Sequence, residues 1–313
     1  MFYRRVGSSG LKVSEISLGS WLTYGGYVER ENAILAIEEA YDLGVNFFDT
    51  ANVYEQGATE ELVGQSLAPY PRHSYVLATK MYFPMGEGPN DQGLSRKHIM
   101  EQAHASMKRL GLDYIDILYC HRYDPETPLE ETLRALDDLV TQGKVLYIGV
   151  SEWTAAQMAE AHEIASRYLL DRIVVNQPMY NMFERSIEEE IIPFGEQKGI
   201  GQVVFSPLAQ GLLTGKYNSA SELPENSRAA KLDFVREGIT EEKITKVKQL
   251  GRIAEELGLS MSQLAIAWIL RQKNVASALV GASRPQQVAE NVKASGIQLS
   301  DDVLQPIEYI LKH

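Results

Sequence analysis

One pattern recurs along this chain and limits its fold more than any other: an amphipathic segment, a glycine, and then a short apolar run that ends in polar residues. The first instance has helical spacing over 33–41, Gly44 as a helix end, and an apolar run over 45–48 that stops at Asp49. Between the strands the pattern predicts helices, among them one that begins after Ser95, one over 186–198 and one over 261–271. The strands themselves are predicted at 16–18, 45–48, 75–78, 114–119, 145–150, 173–175, 203–205 and 278–280.

Eight strand–helix units of this size, with no linker between them, predict an α/β fold in which the strands close into one parallel (β/α)8 TIM barrel. We therefore expect a single domain over residues 1–313. A doubly wound open sheet is the alternative, but such a sheet usually carries G-x-G-x-x-G after its first strand, and this chain has no such motif there. Two additions are predicted: an N-terminal hairpin over 3–13 that can close the barrel bottom, and a long polar loop after strand seven, over 214–240, that is either disordered or a lid.

The charge and the cysteine content exclude several classes of protein. The formal net charge is −12 and no basic block is present, which disfavours binding to nucleic acid. Cys120 is the only cysteine, so an intrachain disulfide and a Cys-rich metal site are excluded. The N-terminus lacks the apolar core of a secretory signal, and no run approaches the roughly 20 apolar residues that span a bilayer. We expect a cytoplasmic protein without membrane insertion.

Polar side chains stand at the ends of the predicted strands, where the active site of such barrels lies. Each alone is weak evidence, since a charged residue at a strand end is usually only solvated or ion-paired. Four of them, an aspartate, a tyrosine, a lysine and a histidine, would meet on one side of the barrel mouth, and that combination predicts an active site. The strand-end residues are Asp49 with Tyr54, Lys80, His121, Ser151, Gln177, and Phe205 with Ser206.

These residue types suit proton transfer to an oxygen atom. A tyrosine has a pKa of about 10, and the ammonium of Lys80 is expected to lower that pKa toward a useful range. The carboxylate of Asp49 would keep the ammonium charged, and His121 could orient a substrate carbonyl. Lys80 could instead form a Schiff base, as in an aldolase-type lyase, although that leaves Gln177 and Phe205 without a role. The sequence predicts no metal cluster.

Several motifs resemble those of the aldo-keto reductases, over about residues 3–291. The segments 93–99 and 206–209 are most similar to the branch that contains the β subunits of voltage-gated potassium channels and their bacterial relatives. The resemblance implies reduction of aldehydes and ketones with hydride from NADPH, by a catalytic tetrad of Asp49, Tyr54, Lys80 and His121. The motifs are Phe48-Asp49-Thr50-Ala51 followed by Tyr54, Thr79-Lys80, Leu112-Asp113-Tyr114-Ile115-Asp116, Gly149-Val150-Ser151, Asn176-Gln177, Phe205-Ser206-Pro207-Leu208, and Gly281-Ala282-Ser283 leading to Glu290-Asn291.

The resemblance also implies a cofactor site along the strand ends. Ser151 and Gln177 match residues that bind the nicotinamide amide, and Phe205 matches the aromatic residue on which the nicotinamide ring stacks. The loop after strand seven would fold over the pyrophosphate, and the helix N-terminus near Ser283 would take the 2′-phosphate. The implied cofactor residues are Gly19, Ser20, Trp21, Asp49, Ser151, Gln177, Phe205, Ser206, Pro207, Leu208, Gly211, Lys216, Arg228, Gly281, Ser283, Arg284, Gln287, Glu290 and Asn291.

Departures from the family pattern bear on the choice of nucleotide. A preference for NADPH rests here on Arg284, Lys216 and Arg228, and NADH stays open as a second cofactor. Arg284 could instead pair with a carboxylate such as that of Glu290. The departing residues are Glu152 in place of Asn, Ala282 in place of Lys, and Gln287 in place of Arg.

The physiological substrate is left open by the sequence, as is assembly into a homo-oligomer. The expected partner is a small carbonyl compound. His121 favours a working reductase, because the channel-subunit members often lack histidine there; the alternative is a nucleotide-binding regulatory or redox-sensing subunit with little turnover. Cys120 indicates packing and not a Cys–His pair, because neighbours on a strand face opposite sides. Specificity is expected to depend on the loop side chains Trp21, Tyr24, Tyr27, Tyr82, Phe83 and Trp153.

Overall fold

The computed structural model describes residues 1–21, 28–224 and 227–313, and it confirms the predicted (β/α)8 barrel. Eight parallel strands follow one another in chain order, and the ring closes because the last strand pairs with the first as well as with the seventh. The barrel strands are β3 (Ile16–Gly19), β4 (Phe47–Asp49), β5 (Val76–Met81), β6 (Ile115–Cys120), β7 (Val145–Ser151), β8 (Ile173–Gln177), β9 (Gly201–Phe205) and β10 (Val275–Val280), preceded by the hairpin strands β1 (Tyr3–Arg5) and β2 (Lys12–Ser14).

The helices alternate with the barrel strands, as the sequence pattern predicts. Short 3-10 helices cover Tyr54–Gly57, Arg72–Ser74, Ser186–Glu188 and Ala209–Thr214. The α-helices are α1 (Arg30–Asp42), α2 (Ala58–Leu67), α3 (Arg96–Leu110), α4 (Leu129–Thr141), α5 (Ala155–Tyr168), α6 (Ile191–Lys198), α7 (Arg228–Lys231), α8 (Asp233–Glu237), α9 (Glu241–Glu256), α10 (Met261–Leu270), α11 (Pro285–Val292) and α12 (Asp301–Lys312).

Helix α3 shows how the local sequence sets these boundaries. The hydroxyl of Ser95 accepts a hydrogen bond from the backbone N–H of His98, which satisfies one of the free donors of the first turn. Gly111 ends the helix in the left-handed conformation, with φ of 67°. Ile99 and Ala103 are buried on the face that packs toward the barrel. The helix that was predicted to begin after Ser95 is confirmed.

The predicted helix over 186–198 is wrong in its first half. The structure has a 3-10 helix at Ser186–Glu188, and α6 starts only at Ile191. Pro193 lies in the first turn of α6, where its missing N–H costs nothing. In one continuous helix its ring would clash with the carbonyl of residue 189, so the chain breaks before it.

The N-terminal hairpin covers the amino ends of the strands. Strands β1 and β2 pair antiparallel, and the backbone N–H of Ser8 donates to the carbonyl of Gly199 at 2.9 Å, just before β9. A Cβ atom on Gly7 would lie 2.2 Å from that same carbonyl oxygen, so only glycine permits this close approach. Val6 and Val13 are buried with the inward side chains of the barrel. The hairpin therefore closes one end and leaves the carboxyl ends of the strands for a site.

The segment after β9 is packed onto the outer helices over much of its described length. Leu212, Tyr217 and Ala229 are buried in one cluster with Leu264 and Trp268 of α10. The 3-10 helix at Ala209–Thr214 and helices α7 and α8 supply its local structure.

No single helix in the described ranges is long and apolar enough to cross a membrane. Helices α9 and α10 meet that threshold only when taken together, and they are bent by 88° relative to each other.

Candidate active site

Four of the predicted residues lie together at the carboxyl ends of three neighbouring strands. Asp49 is the last residue of β4, Lys80 lies near the end of β5, and His121 directly follows β6. Tyr54 begins the 3-10 helix that leaves β4. Because β4, β5 and β6 are adjacent in the barrel, their ends bring the four side chains to one side of the mouth.

The backbone after Tyr54 has an unusual conformation. Glu55 and Gln56 both have positive φ values, 46° and 52°, and Gly57 follows with φ of 95°. Non-glycine residues rarely adopt the left-handed region, and two in succession cost free energy that the surrounding fold must supply. This turn directs the chain from Tyr54 into α2, and it fixes where the phenol lies.

Lys80 joins the carboxylate and the phenol of this group. Its ammonium forms an ion pair with Asp49, donates to the carbonyl of Thr50 at 2.9 Å, and donates to the hydroxyl of Tyr54 at 3.5 Å. The side chains of Lys80 and Asp49 are only 1% and 2% exposed. The amide of Gln177 donates to the second oxygen of Asp49 at 2.8 Å. All the charge in this cluster is therefore paired or hydrogen-bonded in a site with little access to water.

The pKa directions follow from that burial. Burial lowers the pKa of Lys80, but Asp49 and Tyr54 together outweigh it, so the net pKa is raised and the ammonium stays charged. Burial raises the pKa of Tyr54, and the Lys80 charge opposes this without reversing it. The expected lowering of the tyrosine pKa is thus wrong in net direction, although the contribution of Lys80 has the expected sign. A phenol with a raised pKa remains protonated and keeps a proton to donate.

His121 stands beside Tyr54 as a neutral imidazole. The two rings meet edge to face with their centroids 5.9 Å apart, and the ring of Phe83 lies 4.9 Å from the imidazole. Burial, together with the charges of Lys80 and Arg122, lowers the pKa of His121 well below its usual value of 6.5. Its Nδ1 is buried without a hydrogen-bond partner among the residues described. A neutral imidazole carries one N–H, which can donate to an oxygen placed in the mouth.

The predicted nicotinamide residues lie next to this group. The hydroxyl of Ser151 donates to the backbone carbonyl of Gln177 at 2.9 Å, which ties the ends of β7 and β8 together. The side-chain NH2 group of Gln177 already donates to Asp49, so the side-chain carbonyl oxygen is the atom that remains for a ligand. Phe205, at the end of β9, is partly exposed, and it therefore offers a ring face to the mouth.

The loop after β9 turns sharply beside two cations. Ser206, Ala209 and Gln210 have positive φ values between 46° and 56°, and Gly211 follows with φ of 98°. The N–H groups of Ala209 and Gly211 donate to the backbone carbonyls of Ser206 and Leu208 at 3.0 and 2.9 Å, so the turn is closed by its own hydrogen bonds. A Cβ atom on Gly211 would lie 2.9 Å from the Lys216 ammonium, so the cation borders the loop.

Two cations lie beside this loop: Lys216 is exposed and Arg228 is half-buried. Burial lowers the pKa of Lys216, and the neighbouring charge of Arg228 lowers it further. Arg228 donates to the side-chain carbonyl of Gln210 at 3.1 Å, and Gln210 in turn donates to the hydroxyl of Ser206 at 2.8 Å. Lys216 has no carboxylate partner among the residues described. Two neighbouring cations at this loop suit a diphosphate.

The segment after β10 presents an arginine at the surface. Arg284 is exposed at the start of α11 and forms no ion pair within the described ranges, whereas Glu290 accepts from Gln263 and pairs with Lys293. The alternative pairing of Arg284 with Glu290 is therefore wrong. Gln287 accepts from the backbone N–H of Ser283 at 2.8 Å and from its hydroxyl at 3.1 Å.

The remaining predicted cofactor residues occupy the rim or its support. The backbone N–H of Ser20 donates to the carbonyl of Asp49 at 3.0 Å, and a Cβ atom on Gly19 would lie 3.0 Å from Leu279. Pro207 and Asn291 are buried, and Leu208 packs on the cluster around α10. Gly281 is exposed just after β10.

The predicted pocket residues divide into two groups. Phe83 contacts His121 and stacks edge to face with Tyr82 at 5.2 Å, so both belong to the mouth. Trp153 is 1% exposed and packs edge to face against Tyr123, and it also lines a cavity together with Pro178 and Met179. Trp21 is partly exposed at the end of the first described range. The predictions for Tyr24 and Tyr27 fall outside the described residues.

Three residues near the site were not singled out by the sequence. Arg122 follows His121 and donates to its backbone carbonyl at 2.5 Å. Glu60 and Arg109 form a buried ion pair behind β5. The sequence offered one signal for Arg122, namely that a charged residue follows a predicted catalytic residue. No local feature of the sequence marks Glu60 or Arg109.

The site has no metal centre within the described ranges, and the sequence is similar to those of known proteins. The described residues contain no group of three or more metal-ligating side chains that could hold a metal ion. The chain is 44% identical to a protein from Arabidopsis thaliana named as a probable voltage-gated potassium channel subunit beta, over 100% of this chain and 97% of that one. It is 43% identical to a putative subunit of the same kind from Schizosaccharomyces pombe, over 99% and 93% of the two chains. Residues 15–312 match the sequence model of the aldo/keto reductase family, and the chain therefore belongs to that family.

Proposed function

We propose that this protein reduces an aldehyde or ketone to the alcohol with NADPH. The observation that carries the proposal is the position of the Lys80 ammonium, which contacts the Asp49 carboxylate and the Tyr54 hydroxyl beside a neutral His121. Membership of the family supports NADP-dependent oxidoreduction.

Tyr54 is the proton donor in this proposal. Its raised pKa keeps the phenol protonated until a substrate oxygen gains negative charge. As the proton leaves, the Lys80 ammonium stabilises the phenolate that forms, and the low water content makes this interaction stronger than it would be in solvent. Asp49 holds Lys80 charged and in position. The N–H of His121 orients the carbonyl oxygen toward the phenol.

The chain's own residues fit a dinucleotide. Lys216 and Arg228 would hold the pyrophosphate, and Gln177 would bind the nicotinamide amide through its side-chain carbonyl oxygen. Arg284 and Ser283 would receive the 2′-phosphate. When bound, the reduced nicotinamide supplies the hydride that the carbonyl carbon accepts. NADH lacks the 2′-phosphate, so its use would depend on the remaining contacts.

The substitution Tyr54→Phe tests this assignment. It removes the proton donor and keeps the ring, so turnover of a panel of aldehydes should fall by about 10²- to 10⁴-fold, as followed by the loss of NADPH absorbance. The affinity for NADPH, measured by quenching of protein fluorescence, should change little. Tyr309→Phe, at an exposed tyrosine on α12, is the matched control and should keep full activity. Near-normal turnover by Tyr54→Phe, with hydride transfer rate-limiting, would show that another group is the acid.

A second candidate is a nucleotide-binding subunit of a potassium channel. It is favoured by the names of the relatives, each at 42–44% identity over nearly the whole chain. This candidate predicts tight NADPH binding, negligible turnover over the whole carbonyl panel, and association with a channel and with other copies of the chain. Measurable turnover that depends on Tyr54 would favour the reductase.

A Schiff-base mechanism at Lys80 has less support. An amine must be neutral to attack a carbonyl, whereas Asp49 raises the pKa of Lys80 and the ammonium is bound on two sides. Borohydride in the presence of an aldehyde should therefore leave Lys80 unmodified, as measured by mass spectrometry.

A further inference from the structure

Arg122 introduces a positive charge at the mouth that the proposed chemistry does not use. It follows His121 at the carboxyl end of β6 and is partly exposed. Its guanidinium lies over the ring of Phe83, with Cζ 5.6 Å from the ring centroid. The same ring contacts the imidazole of His121. The guanidinium and the catalytic imidazole thus border one aromatic surface.

The position of Arg122 is fixed by the protein. Its Nη1 donates to the carbonyl of His121 at 2.5 Å, and the aromatic ring supports one face of the guanidinium. A long flexible side chain held at two points loses less entropy when it binds a ligand. The guanidinium N–H groups that do not bind the His121 carbonyl remain available to another acceptor.

The charge of Arg122 is not balanced inside the protein. Among the described residues it forms no ion pair, although the chain carries 42 acidic residues against 30 basic ones. The charges of Lys80 and Asp49 cancel each other, and His121 is neutral. Arg122 therefore adds a positive charge next to the reacting groups. Its field reaches the reacting groups, since it lowers the pKa of both Tyr54 and His121 relative to burial alone.

We propose that Arg122 selects carbonyl substrates that carry an anionic group, a carboxylate or a phosphate, at the end opposite the reacting carbonyl. The carbonyl oxygen would lie at Tyr54 and His121, the body of the substrate against Phe83, and the oxyanion on the guanidinium. This inference rests on the proposed reductase function and names its substrate class. A guanidinium matches the planar geometry of a carboxylate and also binds phosphate oxygens, so the shared chemistry is an oxyanion.

Matched pairs of aldehydes test the selection. For the carboxylate, 4-carboxybenzaldehyde is compared with its neutral isostere 4-formylbenzamide; for the phosphate, 4-formylphenyl phosphate is compared with 4-methoxybenzaldehyde. One charge-assisted contact should raise kcat/KM for the anionic member by about 10- to 100-fold. The pair with the larger ratio identifies which oxyanion the site prefers. In Arg122→Met the ratio should fall to about one, and Arg122→Lys should retain part of it because the charge remains.

Arg252→Met is the control variant. Arg252 is an exposed arginine of α9 in the outer layer, and its replacement changes the net charge by the same amount. It should keep the wild-type ratio. A ratio near one in the wild-type protein, or an equal fall for both members of each pair in Arg122→Met, would overturn the proposal. The second result would mean that Arg122 only supports His121.

A binding measurement separates this inference from the proposed function. Calorimetric titration with 4-(hydroxymethyl)benzoate and with its neutral amide requires no turnover. If no aldehyde is reduced but the carboxylate binds at least tenfold more tightly than the amide, and Arg122→Met removes that difference, the anion site stands and the reductase fails. If neutral aldehydes are reduced and the carboxylate gains nothing in binding or kcat/KM, the reductase stands and the anion site fails.

Discussion

The buried ion pair behind the active site gives a sharp prediction about stability. Glu60 of α2 is 0% exposed, and its two oxygens accept from the guanidinium of Arg109 at 2.6 Å and from the hydroxyl of Thr79 at 2.5 Å. Arg109 comes from α3 and also donates to Ser106 at 3.2 Å. A Cβ atom on Gly57, in the turn after Tyr54, would lie 2.5 Å from the Arg109 side chain. The pair thus connects α2, α3 and β5 directly beneath the predicted catalytic residues.

The two single substitutions should have unequal costs. Arg109→Met leaves an anion with no access to water and only one hydrogen bond, and an uncompensated buried charge costs about 3–5 kcal/mol. Glu60→Gln leaves a cation whose side chain is 19% exposed, so the guanidinium can still reach water. We expect a cost of about 1 kcal/mol there, that of one weakened hydrogen bond. The double variant removes both charges, and it should be more stable than Arg109→Met by about 2 kcal/mol.

Urea unfolding followed by circular dichroism and by fluorescence measures these values, and the two signals must coincide for the free energy of unfolding to be defined. Arg167→Met is the control, because Arg167 and Glu163 form an exposed pair with side chains 60% and 70% exposed. That substitution should cost at most about 0.5 kcal/mol. If Arg109→Met costs no more than the control, or if the double variant is no more stable than Arg109→Met, the reasoning from burial is refuted.

Three further predictions concern the cofactor and pH. Arg284→Ala should abolish a 10- to 100-fold preference for NADPH over NADH in kcat/KM and leave NADH turnover unaffected, since one charge-assisted contact is lost; an unchanged ratio would assign the 2′-phosphate to Lys216 or Arg228. Hydrogen exchange over 214–240 should slow when NADP⁺ binds, and equal exchange with and without it would exclude a lid. The pKa of His121 is lower in the folded than in the unfolded protein, so below about pH 6.5 the unfolded protein binds one more proton at this residue. As the pH falls in this range, His121 alone should lower the free energy of unfolding by up to about 1.4 kcal/mol per pH unit. His121→Gln should make the free energy of unfolding less dependent on pH below about 6.5, and identical slopes in the two proteins would contradict the cause given for the shift.

Much of the fold and the location of the candidate site could be predicted from the sequence. The alternation of helix, glycine and apolar run is local, and each strand ends where the apolar run ends. Asp49, Lys80 and His121 therefore lie at strand ends whichever strands become neighbours. The prediction of one continuous helix over 186–198 was wrong, because a single proline breaks an otherwise helical pattern. The predicted direction of the Tyr54 pKa shift was wrong, because burial raises this pKa by more than the nearby ammonium lowers it. The extent of burial cannot be read from the sequence.

By itself, then, the sequence determined the barrel, the end of the barrel that carries the polar residues, and the residue types available there. Only the tertiary structure decided which of them touch. Gln177 reaches Asp49 across 128 residues of chain, Glu60 meets Arg109 from another helix, and Trp153 packs against Tyr123. The physical reason is that periodicity follows from backbone geometry within a few residues. Pairing, desolvation and the balance of charge depend on side chains that only the closed barrel brings within a few ångströms.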